Sequence, residues 1–572
     1  MAQRDQQTGF FSRIFGTVTN WFSPTAMPAA SDVVPAIATK DYHPVTIVGG
    51  GISGLTALLR NLENGIPTVL YQDKNSGGLI RSTRPAGAAP LDMGGEFIDS
   101  GHKDIIALCA ELGVPLVDSE AAGPNSDRKF YHYTSDKMLD NKALYDGNSG
   151  SGLFKDLSQL IRADQQAMRT KDGEWTPFAR ELDGLSAEEY LLLKKQQIET
   201  NGAKLPDALM PLLSHAYTCE NGRDLKDMSA LAFVEPIGTA PHEDFALFGA
   251  SDERYKVAGG TAALIEAMVA KIHALAAKQG IADPIRTQHR LTGVEAAPGG
   301  LHRLHFTLPD GSMKHVTTDY VISALQAPVL ASIPGAEHLG LTPQEIETAA
   351  ALQYTKSSKI FVEVKGMPWA DFITPEGQHI TDSNGQFGGK VFQSVWPSGA
   401  GDETQAGNHW ITFLVGGDVN DQMKPAELVE ACKGEYAHML GKSPHDIFTG
   451  QQQMLSAHKQ AERGAGGCYL SPDRNQYLPA VALSRSLASK EGDVGFAGGW
   501  MIQEVAGNEQ SDPVAWVGFM QSGVHSAEMA SAKCVERMQS KQADMEAAQM
   551  GLGKHAQALL GRGGGLAPQM AM

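Results

Sequence analysis

The stretch PVTIVGGGISGLTALLRNLENGIPTVLYQ, residues 44–72, constrains the fold more than any other part of the chain. A β-branched run from Val45 to Val48 enters a glycine turn, an apolar helix follows, and after Gly65 a second strand is expected from Thr68 to Tyr71. Strand, helix and strand in that order form a βαβ unit, the building block of a parallel sheet. Gly49, Gly51 and Gly54 make the pattern G-x-G-x-x-G. With 62 glycines in 572 residues the bare pattern arises by chance, so its weight comes from its place between strand and helix. There the first glycine makes the turn, the second lets backbone approach a pyrophosphate, and the third lets helix pack on strand. A dinucleotide is the implied ligand. The position that should contact the adenosine ribose holds Gln72 instead of an acid; an amide still donates to and accepts from hydroxyls.

The formal charge of −18 and the lack of a Lys/Arg-rich block argue against nucleic acid and mildly favour a small cationic substrate. Five cysteines (Cys109, Cys219, Cys432, Cys468, Cys534) show neither metal-ligand spacing nor a disulfide pattern, which points to a reducing, cytoplasmic setting and no metal. No apolar run is long enough to span a bilayer. In FFSRIFGTVTNWF, however, Phe10, Phe11, Ile14, Phe15, Val18, Trp21 and Phe22 fall at helical spacing. That apolar face suits docking on protein, with peripheral membrane contact through residues 10–22 as the alternative.

Residues 23–40 read as a linker, and residues 150–235 as helix-rich, with LFKDLSQLIRADQQAM and AEEYLLLKKQQIE as amphipathic spans. TAALIEAMVAKIHALAA reads as a helix, LHRLHFTLPDG and DYVISAL as strands, and 355–455 as a βα-type region. The segment GVHSAEMASAKCVERMQSKQADMEAAQM is expected to be helical and GLGKHAQALLGRGGGLAPQMAM frayed.

Two glycine pairs follow the βαβ unit: Gly77/Gly78 in NSGGLIRST and Gly94/Gly95 in PLDMGGEFID. Together with ERYKVAGGTAAL, and with GFAGGW ahead of AWVGFMQSGVHSA, they make the chain from about 41 to 535 resemble the flavin-dependent amine oxidase superfamily. That superfamily includes monoamine, polyamine and L-amino acid oxidases. The resemblance implies an α/β, two-domain FAD-dependent oxidase fold, with a Rossmann-like FAD domain and a mixed α+β substrate domain. The FAD domain would comprise 41–115, 252–325 and 460–535, the substrate domain 116–251 and 326–459, with an extension at 1–40 and a C-terminal helix and tail at 536–572. It also implies FAD contacts at the two glycine pairs, Gln72, Val294, Gly498 and Gly518. Gly499 and Trp500 depart from it, because an acidic residue often follows FAG in the family.

Lys359 in KSSKIFVEVKGMPW, ten residues before Trp369, resembles the family lysine that holds a water beside the flavin. GGCY, ending in Cys468 and Tyr469, resembles the monoamine oxidase motif in which the cysteine sulfur is joined to the flavin and the tyrosine walls an aromatic cage. The small-hydrophobe reading of a free cysteine stands beside it. The opposite wall falls at Ala515, with Trp516 one residue off and Trp500 as a substitute; Trp516 is taken as the catalytic-site aromatic. Aromatic faces orient an amine nitrogen.

The expected reaction is oxidation of an amine C–N bond to an imine with O2 reduced to H2O2, giving aldehyde and ammonia. An L-amino acid oxidase needs an arginine for the carboxylate, and Phe97 stands at the matching place, although Arg81 could substitute. A catalytically degenerate flavin-fold scaffold is the third reading. A homodimer is expected.

Overall fold

The computed structural model describes residues 41–86, 88–118, 131–134, 137–140, 155–205, 209–237, 251–368, 387–388, 390–398, 407–457, 467–501 and 518–561. The chain divides into Met1–Tyr42 and His43–Met572. The amphipathic segment 10–22, Trp369, Ala515 and Trp516 lie outside the described residues.

The larger sheet runs Ile285–Arg286, Thr68–Tyr71, Tyr42–Val48, Met313–Ser323, Leu301–Thr307, Arg290–Ala297, and Val494–Phe496 also pairs with Met313–Ser323. Val45 to Val48 lie parallel to Thr68 to Tyr71, so the βαβ expectation holds. Thr68–Tyr71 is also parallel to Ile285–Arg286 and buries all four of its residues, as a strand covered on both faces must. The last three strands form an antiparallel meander. On one side the helix Ile52–Glu63 places Leu55, Leu58 and Leu62 in a core shared with Val524, Ala527 and Cys534 of the C-terminal helix.

The smaller sheet runs Ser394–Pro397, Asn408–Gly416, Ser357–Lys365, Phe448–Leu455 and is antiparallel throughout. The expected βα-type region is therefore an antiparallel sheet, with the helix Pro425–Met439 in the connection from Asn408–Gly416 to Phe448–Leu455. Ile360, Val362 and Val364 pack with Val429 and Tyr436 beneath that helix. Side chains alternate along a strand, so Lys359 and Phe361 take the opposite face.

Among the described residues, five helices lie between the sheet segments: Lys155–Ala167, Pro177–Gly184, Ala187–Thr200, Leu209–Asn221 and Ala230–Val234. Ser186 and Glu189 close a capping box at the start of the third. Leu157, Ile161, Tyr190, Leu191 and Phe233 hold these helices to a common core. The C-terminal helix extends from Met520 to Gly561, so GLGKHAQALLG is helical where fraying was expected. Lys554 to Leu560 are mostly good helix formers, and isolated glycines weaken a helix without ending it. Among the described residues no helix is long and apolar enough to cross a membrane.

Candidate active site

A cavity of about 1150 Å³ runs from the glycine loop, past both glycine pairs, to Lys359 and Tyr469. At its first end, Gly49 has φ +108, and a Cβ there would sit 2.7 Å from the Ala324 carbonyl oxygen. A Cβ on Gly54 would lie 1.8 Å from the Gly49 oxygen, so helix and loop close only on glycine. Gly51 differs: a Cβ there meets nothing within 4 Å, and the residue borders the cavity. The helix Ile52–Glu63 begins at this point with no side-chain cap and no acid in its first turn. Its unpaired N–H groups face a place suited to an anion. Gln72 borders the same end and donates to Ser76 Oγ at 2.9 Å.

The glycine pairs are equally tight. Gly77 donates to the Gly50 carbonyl at 2.8 Å, and a Cβ on Gly78 would lie 3.0 Å from Gly51 Cα. Gly94 passes so close to Leu79 that a Cβ would fall 1.6 Å from its oxygen, and a Cβ on Gly95 would lie 3.1 Å from Met520 Sδ. The backbones at Gly49–Gly51, Gly77–Gly78, Gly94 and Ala324 thus approach one another closely, leaving a cradle for a flat, elongated ligand. Arg81 borders the cavity with its buried Nε lacking a hydrogen-bond partner among the described residues.

Lys359 lies on the cavity face of Ser357–Lys365. Its ammonium donates to the carbonyls of Asp92 at 3.1 Å and Gly94 at 2.9 Å, and to Glu96 Oε2 at 2.8 Å. An ammonium has three protons, and all three are engaged. Glu96 also pairs with Lys256 at 3.1 Å and accepts from Trp396 Nε1 at 3.1 Å. Burial alone would raise this carboxyl; the two ammoniums and the hydrogen bonds outweigh it and hold it at about 2.

The GGCY segment crosses the chain at Tyr354 and Thr355. Tyr469 O accepts the Thr355 N–H at 2.9 Å, and Gly467, at φ +142, would bring a Cβ within 2.6 Å of Tyr354 Cβ. Only glycine permits that crossing. Cys468 borders the cavity with its thiol toward the Ser357 carbonyl at 3.8 Å. The Tyr469 ring packs over Gly518, where a Cβ would stand 3.0 Å from Tyr469 Cβ. Its hydroxyl donates to the Cys219 carbonyl at 3.5 Å, and burial pushes it well above the usual phenol range.

Gly49, Gly51, Gln72, Gly77, Gly78, Gly94, Gly95, Lys359, Cys468, Tyr469, Gly498 and Gly518 all border the cavity. Gly54 packs just behind it. Val294 does not reach it: the side chain is buried in the core, and its N–H is taken by the Pro334 carbonyl at 2.9 Å. Trp500 borders the cavity and donates to the Leu325 carbonyl at 3.0 Å. Sequence reasoning missed Trp396, Glu96, Tyr217 and Glu220. Glu96 carried a signal, being an acid inside an otherwise apolar glycine motif.

Residues 52–508 match the family of flavin containing amine oxidoreductases. A Mycobacterium tuberculosis protein named as a flavin-containing monoamine oxidase, AofH, is 28% identical over 238 residues, covering 40% of this chain and 48% of that one. The flavin-containing amine oxidase B of Sus scrofa is 26% identical over 151 residues, covering 26% of this chain and 28% of that one. The chain thus spans about half the length of the first of these relatives and less of the second. Among solved structures, a double mutant of putrescine oxidase superposes with a TM-score of 0.66 at 15% identity, over 86% of this chain and 99% of that one. Cyclohexylamine oxidase from Brevibacterium oxydans gives 0.64 at 15%, over 87% and 100%. The likeness to these structures shows the two-domain α/β fold of FAD-dependent oxidases. The chain belongs to the flavin-containing amine oxidoreductase family, and that membership implies a flavin cofactor.

Proposed function

We propose that the protein is an FAD-dependent oxidase of amines. The observation that carries this reading is the single cavity joining the glycine cradle to Lys359, Cys468 and Tyr469. Gly51, Gly78, Gly95 and the start of helix Ile52–Glu63 would hold the dinucleotide, with Arg81 offering an unmet donor. When bound, the flavin supplies a two-electron acceptor that turns amine into imine and passes the electrons to O2 as H2O2. Water then converts the imine to aldehyde and ammonia.

The chain's own residues bind and position. Tyr469 and Trp396 present aromatic surface to the cavity, suited to orienting an amine nitrogen while excluding water. Lys359, with its protons engaged, acts as a strut that fixes the Asp92–Gly94 turn against the cofactor. Cys468 is proposed as the covalent attachment point. The domain limits read from the sequence, a homodimer, and a cytoplasmic protein with protein or membrane contact through residues 10–22 form part of the same proposal.

The test is direct. Purified protein should be yellow, should bleach when an amine is added without oxygen, and should produce peroxide on aeration. A yellow protein whose spectrum no amine changes sinks the reading. A second reading, L-amino acid oxidation, draws on the unmet Arg81 donor; it requires an amino acid to outperform its decarboxylated amine.

A further inference from the structure

The antiparallel meander of the larger sheet turns one face to the core and the other outward. Leu304, Phe306 and Val316 are buried on the inner face, so by strand alternation His305, Thr307, Met313 and His315 point out. His305 and His315 stand directly opposite each other in the register of their two strands. Their rings meet edge to face at 81°, with the two Nδ1 atoms 2.6 Å apart.

Two ring nitrogens at that distance cannot both carry a proton. Either one donates to the other, or both offer lone pairs to a cation. Glu295 Oε1 stands 3.4 Å from the second nitrogen of His305, Nε2. A carboxylate there keeps the ring proton on Nε2 and leaves the Nδ1 lone pair facing His315, the arrangement by which a carboxylate orients a metal-binding imidazole. Glu295 is itself held by Arg303 at 3.0 Å. His315 is exposed, and among the described residues its Nε2 makes no hydrogen bond. Its proton is therefore free to move to Nε2 and into water, which turns the second lone pair toward the first. Gly293 makes room for this pair: a Cβ there would come 3.3 Å from His305 Cδ2.

We propose that His305 and His315 form a bidentate site for a late first-row divalent cation of the zinc and copper class, with Glu295 orienting His305 and water completing the coordination. Imidazole nitrogens suit these ions. Bonds of about 2.0–2.1 Å set two ligand nitrogens roughly 3 Å apart, so the rings need to part only slightly. Neither histidine nor Glu295 borders the cavity. A bound ion would clamp two strands of the sheet that carries the glycine loop, and the site does not depend on the amine-oxidase reading.

The experiment uses the flavin-loaded full chain, freed of metal with EDTA and dialysed. Zn2+ alone is titrated calorimetrically, and Cu2+ is added separately for electron paramagnetic resonance, since oxidised flavin has no unpaired electron to obscure the copper signal. A single Zn2+ should bind per chain, and His305→Ala or His315→Ala should each weaken it at least about tenfold; Glu295→Gln should weaken it about tenfold. The wild-type Cu2+ spectrum should show coupling to imidazole nitrogen that both histidine variants lose. Zn2+ should raise the melting temperature of the wild type and not of those variants, while turnover without metal stays the same in all of them. Should an alanine variant fail to fold, His315→Gln, which keeps the side chain's bulk, takes its place. Zn2+ binding weaker than about 1 mM would leave the pair a plain hydrogen bond and overturn the site. Tight binding that survives both histidine variants would place the ion elsewhere and overturn it equally.

Discussion

Lys359 Nζ and Glu96 Oε2 lie 2.8 Å apart, joining the smaller sheet to the second glycine-pair turn through a buried ion pair. Glu96 is 5% exposed and Lys256, its other partner, 8%. The pair belongs to the architecture of the cavity as much as to its chemistry.

Glu96→Gln should therefore destabilise strongly. It leaves two ammoniums without a full counter-charge, and breaking a buried pair typically costs about 3–5 kcal/mol. Urea unfolding at neutral pH measures this. The pH dependence has a definite sign: the carboxyl is held at about 2 against an ordinary 4.5, so its stabilisation is complete above 4.5 and is lost as pH falls toward 2. The gap between wild type and variant should close across that window. An unchanged gap at acid pH would remove the ion pair from the account.

Glu220 should behave in the opposite way. Its folded value of about 8 lies above the ordinary 4.5, so between those values the folded chain keeps a proton that the unfolded chain has lost. Stability from this group falls as pH rises through the window. Besides Glu253 and Asp99, its neighbourhood includes the Cys219 thiol, which burial pushes to about 12, and the Tyr469 phenol; both stay neutral throughout. Glu220→Gln should melt with the wild type near pH 4.5 and above it at pH 8, by an amount that solvent reaching this exposed side chain reduces. Coincident melting curves at both pH values would contradict this assignment.

Two glycines separate cofactor binding from folding. A Cβ at Gly51 meets no protein atom within 4 Å, so Gly51→Ala should fold like the wild type yet retain at least about tenfold less flavin. At Gly94 the same methyl would fall 1.6 Å from the Leu79 oxygen, and Gly94→Ala should fail to fold stably. Thermal melting with and without added FAD distinguishes the two. Full flavin retention by Gly51→Ala would move the cofactor away from the loop.

Acid precipitation tests the proposed sulfur link. Yellow colour should stay with the pellet of the wild type and pass to the supernatant for Cys468→Ala. Release from both would leave Cys468 as a wall residue only.

The glycine-rich parts of this protein were legible in the sequence because a positive φ or a close backbone approach limits the choice of residue locally. Gly54, Gly77 and Gly94 each touch backbone within about fifteen positions along the chain, so spacing alone announces them, whereas Gly49 is pressed by Ala324 from a remote strand end. Lys359 was legible through the strand that follows it. Its partner Glu96 stands 263 positions away, and no local pattern links the two. Val294, expected at the cofactor, faces the core because its backbone is committed to Pro334.

By itself the chain thus determined the βαβ unit and the glycine turns that follow it, governed by short-range sterics; the crossing of GGCY over Tyr354 and Thr355 belongs to the tertiary structure. Tertiary structure alone decided that Lys359 spends its protons on Asp92, Gly94 and Glu96, that Trp396 joins them, and that Glu220 and Glu253 border one cavity. Charges and aromatic rings act across space between remote segments, and their partners become defined only when the two sheets and the intervening helices have packed.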